Sequence, residues 1–196
     1  LEKELGFYMD QIQPRDFNQL ERNTIDIYTK YSNDLSGEIY YYNNIPKSVK
    51  DMFPIIFDYD ANKNTWYKIE KINGLTCSTL YNSELLTKTT LHTIMASLNR
   101  LHDLNIEDGE DVNIYKKYSE KMELRYNSYN YSRFKDYEKT YGEILSFLKD
   151  YEANQKGKKV VIHGDTVLTN IMINELDKIK FIDMRGKVGD KWTISG

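Results

Sequence analysis

Apolar and polar residues alternate from Ile25 to Tyr31, the period-two pattern of a half-buried strand. Ser32-Asn33-Asp34 then offers side-chain oxygens that can cap a helix. The pattern predicts a helix from about Leu35 to Asn44, carrying Glu38 and ended by Pro46. The apolar run 53–59, the polar turn 60–64 and renewed alternation from Thr65 to Ile72 predict a hairpin over 53–72. Asn73-Gly74 reads as a sharp turn after it. Between Glu84 and Leu104, the residues Leu91, Ile94, Met95, Leu98 and Leu101 fall on one stripe of an amphipathic helix, with Asn82 and Ser83 as candidate caps. Residues 105–113 are acidic and loop-like. Residues 114–152 hold two further helical patterns with a Tyr- and Asn-rich break near 127–132. Val160–Ile162, Asn170–Ile173 and Ile179–Ile182 read as short strands, whereas residues 1–24 show no clear period.

This order predicts an α+β chain: a small β-rich N-terminal lobe over 1–75 and a larger, mainly helical lobe with an embedded hairpin over 76–196. A length of 196 residues suffices for a real core. Lys and Arg number 27 against 30 Asp and Glu, a net charge of −3, which gives no sign of a nucleic-acid-binding surface. The single cysteine, Cys77, excludes an internal disulfide framework and a cysteine-rich zinc module. No run approaches the roughly eighteen apolar residues of a membrane span, and no secretory leader is visible, so a cytoplasmic location is expected. The chain opens on Leu1 and closes on Gly196 in a polar stretch, so a fragment is expected.

The chemistry concentrates in 160–186. A short apolar strand leads into His163-Gly164-Asp165, and Asn170 follows Asp165 by five residues. Across the predicted hairpin, Asp183 follows another apolar strand, thirteen residues beyond Asn170. Two carboxylates and an amide oxygen held at strand ends are hard donors of the kind that suits Mg²⁺, which binds through few carboxylates plus substrate phosphates. The offsets match a kinase catalytic loop, H-R-D-x-x-x-x-N, and its later metal-binding aspartate, with Gly164 in place of the arginine.

On these residues the chain resembles the aminoglycoside phosphotransferase and choline kinase-like superfamily, whose hallmark is H-G-D-x4-N followed by a metal-binding Asp. The stretch from Lys180 to Gly186 is similar, more narrowly, to phosphotransferases of bacterial capsule and surface-polysaccharide biosynthesis. The resemblance implies a protein-kinase-like two-lobe fold. It implies transfer of the γ-phosphate of ATP, with Mg²⁺, to a hydroxyl of a small molecule such as a sugar or amino-alcohol. By the same resemblance Asp165 is the catalytic base, His163 braces its loop, and Asn170 and Asp183 bind the metal. Lys30 and Glu38 form the pair that steadies the phosphates, and backbone groups near Glu70 and Ile72 meet the adenine edge. Arg185 contacts phosphate or pairs with a carboxylate. Residues 1–24 contain a single glycine, Gly6, so the Gly-rich loop expected before the Lys30 strand is degenerate, replaced or cut away.

Three other readings use the same residues. One is a nucleotide-binding scaffold or pseudokinase without transfer activity. Another is a metal-dependent phosphoesterase, for which the histidines His92, His102 and His163 are few. The plainest is two ordinary hairpin turns, because Asp, Gly and Asn are turn residues.

Overall fold

The computed structural model describes residues 19–22, 26–104, 106, 109–116 and 118–196. They form two compact units: the described residues up to Glu110 together with Val160–Gly196, and Asp111–Lys159.

The first unit opens with an antiparallel sheet. Strands β1 (Gln19–Arg22), β2 (Ile27–Tyr31), β3 (Ile56–Tyr59) and β4 (Trp66–Glu70) lie in the order β1-β2-β4-β3. Strand β2 therefore pairs on both edges, and Tyr28, Thr29 and Lys30 are all buried. Strand β1 has no counterpart in the sequence pattern. It forms through backbone pairing with β2, from Gln19 opposite Tyr31 to Arg22 opposite Tyr28. The Gly-rich loop expected before Lys30 falls largely on residues 1–18 and 23–25, outside the described residues. The β3–β4 turn is built by Asp60, whose Oδ1 accepts the N–H groups of Asn62 and Lys63, each at 3.0 Å.

Helix α1 (Ser36–Asn44) follows β2, and Asp34 Oδ1 accepts the Ser36 N–H at 2.9 Å. A 3₁₀ helix, Lys47–Met52, follows Pro46. The turn expected at Asn73-Gly74 is instead the start of strand β5 (Gly74–Thr76). The helix expected from Glu84 begins at Lys88 as α3 (Lys88–His102), and a separate helix, α2 (Cys77–Asn82), precedes it. Two threonine caps cause the division. Thr76 Oγ1 accepts from Thr79 N–H, and Thr87 Oγ1 accepts from Thr90 N–H, each at 3.1 Å. Asn82 and Ser83 thus end a helix rather than start one.

Strands β6 (Ile171–Asn174) and β7 (Ile179–Phe181) form the expected hairpin, with β5 added along β6. Val160–Ile162, expected as a strand, makes a single bridge from Val161 to Ser195. A last hairpin, β8 (Lys187–Val188) and β9 (Lys191–Trp192), leaves no period in the sequence because each strand has two residues. A continuous core joins these parts. Its rings run Tyr41–Phe53 at 5.6 Å, Phe53–Phe181 at 5.9 Å and Phe181–His163 at 5.5 Å, from α1 to the loop of His163.

The second unit carries α4 (Tyr118–Ser128) and α5 (Tyr137–Ala153). Ser119 caps into Glu152 through its N–H at 2.9 Å and its hydroxyl at 2.6 Å. The Tyr126 ring stacks on Tyr141 at 3.6 Å. Among the described residues, no helix is long and apolar enough to cross a membrane.

Candidate active site

Lys30 is 6% exposed, and a lysine buried this far needs partners for its charge. Its Nζ donates to both Glu38 carboxylate oxygens at 2.9 Å and to Asp183 Oδ1 at 2.7 Å. The eight-residue separation of Lys30 and Glu38 closes because β2 runs directly into α1. Tyr67 on β4, beside β2, donates its hydroxyl to Glu38 Oε2. One ammonium is thus shared by two carboxylates. Burial alone would lower the Lys30 pKa, but Glu38 and Asp183 outweigh it and hold it above the usual lysine value. Glu38 has half a cation's attention in a buried site, and burial, with Asp183 nearby, raises its carboxyl above the usual range. Asp183 itself has φ 60°, the left-handed region that non-glycine residues enter sparingly and that recurs at functional sites.

The loop 163–170 is held from inside. His163 Nε2–H donates to the Ile182 carbonyl at 2.9 Å, and its Nδ1 accepts the Asp165 N–H at 3.2 Å. The neutral ring therefore braces Asp165 against the residue before Asp183. Burial pushes the His163 pKa from 6.5 down to about 4, although Ile182, Asp165 and Asp183 pull the other way. Asn170 Nδ2 donates to the Asp165 carbonyl at 3.0 Å, and the Ile182 N–H donates to the Asn170 carbonyl at 3.1 Å. Asp165, Asn170 and Asp183 are thereby fixed to one another through backbone groups.

Gly164 fits the loop for two reasons. Its φ is +82°, and a Cβ there would lie 2.8 Å from the Arg185 Cβ. The glycine that replaces the template's arginine makes room for Arg185, whose Nη2 lies 3.7 Å from Asp165 Oδ1.

The folded His163 takes up its proton well below the unfolded value of 6.5, so the unfolded chain binds more protons between pH 6.5 and about 4. Stability is full above that window and falls on acidification, by about 3 kcal/mol at its lower end. Urea midpoints from pH 7 to pH 4.5 are expected to drop more steeply for the wild type than for His163→Gln. Equal slopes would contradict a buried neutral ring.

Lys30, Glu38, Asp165, Asp183 and Arg185 line one cavity of about 300 Å³. Glu70 and Ile72 stand outside that lining. Glu70 donates its N–H to the Ile55 carbonyl at 2.8 Å, and the Ile72 side chain is buried with Met172 and Ile182. The lining also contains Ser32, Asp34, Gly37 and Lys187, none of which the sequence singled out. Tyr67 was missed as well, and its only signal was the alternation that places it on the buried face of β4.

Residues 53–184 match the sequence profile of the phosphotransferase enzyme family, two thirds of the chain. The chain belongs to the phosphotransferase enzyme family. No curated protein matches it. Among solved structures, a choline/ethanolamine kinase family protein from Mesorhizobium loti superposes with a TM-score of 0.60 at 12% identity, over 100% of this chain and 65% of that one. A thermostable mutant of the aminoglycoside phosphotransferase APH(4)-Ia superposes with a TM-score of 0.57 at 9% identity, over 94% of this chain and 66% of that one. These likenesses establish the two-lobe α+β kinase-like fold, and the chain spans just under two thirds of each of those proteins.

The donor set fits Mg²⁺. Asp183 lines the cavity and gives Oδ1 to Lys30, whereas Asn170 is buried just outside the lining, its amide nitrogen on the Asp165 carbonyl and its amide oxygen accepting from the Thr169 hydroxyl at 3.4 Å. Among the described residues no three His, Cys, Asp or Glu side chains converge as a metal cage. That set suits an ion completed by substrate phosphates. It suits a phosphoesterase centre less well, because both His163 ring nitrogens are already engaged.

Proposed function

We propose that this phosphotransferase moves the γ-phosphoryl group of ATP, in the presence of Mg²⁺, to a hydroxyl of a small molecule, a sugar or an amino-alcohol. The observation that carries the reading is the convergence of Lys30, Asp165 and Asp183 on one cavity, each held by a bonded partner. Asp165 accepts the proton of the attacking hydroxyl, and the His163 and Asn170 bonds fix where its carboxylate stands. Lys30 steadies phosphate oxygens, with Glu38 and Tyr67 setting its direction. Asn170 and Asp183 hold the metal, which when bound neutralises charge on the phosphates. Arg185, 61% exposed on the cavity wall, contacts a phosphate oxygen as the nucleotide enters. Backbone groups near Glu70 and Ile72 meet the adenine edge, the Glu70 N–H excepted because it is committed to the Ile55 carbonyl.

In this proposal residues 1–75 carry the lysine strand, the glutamate helix and the hinge, and residues 76–196 carry the catalytic and metal loops. The reaction takes place in the cytoplasm. The similarity of Lys180–Gly186 to surface-polysaccharide enzymes puts sugars first among acceptors. The test is transfer of γ-labelled phosphate to a panel of sugars and amino-alcohols. A labelled, Mg²⁺-dependent product supports the reading. Nucleotide binding with no product from any acceptor would favour a nucleotide-binding scaffold instead.

A further inference from the structure

The β8–β9 hairpin plays no part in the proposed chemistry, yet it grips the helix that carries Glu38. Lys187 Nζ donates to Ser36 Oγ at 2.8 Å, stands 3.8 Å from Asp34 Oδ2 and lies 3.9 Å over the Trp192 ring. The Trp192 ring in turn lies 5.3 Å from that of Tyr40. Ser36 and Tyr40 flank Glu38 on the first turns of α1. Between them the two backbones meet directly. A Cβ on Gly186 would overlap the Gly37 carbonyl oxygen and reach 3.0 Å from the Tyr41 nitrogen. The hairpin is anchored on its far side too, since Glu110 N–H donates to the Trp192 carbonyl at 2.7 Å and Trp192 N–H to Glu110 Oε1 at 3.1 Å.

A cation at a helix N-terminus opposes the helix dipole. Helix stability alone does not favour Lys187 here, so the contact calls for another account. Lys187 lies four residues after Asp183, and Asp183 and Glu38 share the Lys30 ammonium.

We propose that Lys187 is a positioning residue: through Ser36 and Asp34 it fastens the first turn of α1 to the segment after Asp183, so that Glu38 and Asp183 reach Lys30 as one body. This rests on the reading of Lys30 as a phosphate-steadying group. The charge-assisted bond and the cation–π contact supply the attraction, and the glycine pair supplies the close fit.

The test compares Lys187→Met, which keeps the stem and removes the charge, with Lys187→Arg, which keeps the charge. Amide hydrogen exchange is followed across the full chain, and Mg·ATP affinity is measured by calorimetry. In Lys187→Met, protection over 36–44 and over 183–187 is expected to fall together by about tenfold, the worth of one partly exposed charge-assisted hydrogen bond. The hairpin 171–181 keeps its rates. Mg·ATP affinity falls by about the same factor, and Lys187→Arg restores both readouts. Should Lys187→Met not fold, Ser36→Ala removes the acceptor alone and gives the same paired change. Unchanged protection over 36–44, or equal loss over 171–181, overturns the proposal. A wild type that binds no Mg·ATP would defeat the phosphotransfer reading while the exchange pattern still decides the coupling.

Discussion

Asp165→Asn is expected to remove phosphoryl transfer while leaving the fold and the nucleotide affinity nearly unchanged. The loop is held through the Asp165 backbone, whose N–H goes to His163 Nδ1 at 3.2 Å and whose carbonyl accepts from Asn170 at 3.0 Å. The substitution touches neither bond. Asparagine also matches aspartate in shape, so the Arg185 and Asn170 side chains lose a charge near them but no volume. What disappears is the ability to take the proton of the attacking hydroxyl. General-base removal typically costs about 10²- to 10⁴-fold in rate. The account therefore expects kcat to fall by about that range, with the KM for ATP within a few-fold of wild type. Activity retained within a few-fold would show that the proton leaves by another route.

Lys30→Met is the larger structural perturbation. It keeps much of the side-chain volume and removes the ammonium that Glu38 and Asp183 share. The lysine side chain is 8% exposed, Glu38 19% and Asp183 30%. Breaking a buried pair by removing one partner costs roughly 3–5 kcal/mol, and the partial exposure of Asp183 places this case near the low end, about 3 kcal/mol. An exposed pair, by contrast, costs under about 1 kcal/mol. The sign of the pH dependence separates the two cases. Glu38 already has a raised pKa in the folded chain, chiefly from burial. Without Lys30 it is raised further, and its protonation on acidification relieves the buried charge. The folded state then binds more protons than the unfolded one, so the destabilisation is largest at neutral pH and shrinks as pH falls through the folded Glu38 pKa. Denaturation curves of both proteins at pH 7 and pH 5 measure this. A loss below 1 kcal/mol at both pH values would mean that water already solvates the carboxylates.

Local pattern carried much of the fold. Alternation marked Trp66–Glu70 because that strand faces two different environments; it also marked Ile27–Tyr31, although Tyr28, Thr29 and Lys30 are all buried there, and the stripe Ile94–Leu101 marked α3 because one face meets the core. The motif offsets also placed Asp165, Asn170 and Asp183 at strand ends, where the structure ties them together. Other features depend on contacts distant in sequence and leave no local period. Strand β1 exists through its pairing with β2, and Lys187 meets Ser36 across 151 residues. Tyr67 reaches Glu38 only once β4 lies beside β2. The division of α2 from α3 was readable in principle, since Thr76 and Thr87 each stand three residues before another threonine whose N–H they accept. The apolar stripe Leu91–Leu101 lies wholly within α3 and does not mark where that helix begins.

The claim on which the rest depends is that Asp183 and its neighbours form a metal-dependent nucleotide site. Calorimetric titration of ATP into the wild type and into Asp183→Ala, with and without Mg²⁺, addresses it most directly. The account predicts binding to the wild type that requires Mg²⁺ and is lost in Asp183→Ala. No binding to the wild type, or equal binding to both proteins regardless of Mg²⁺, would contradict it.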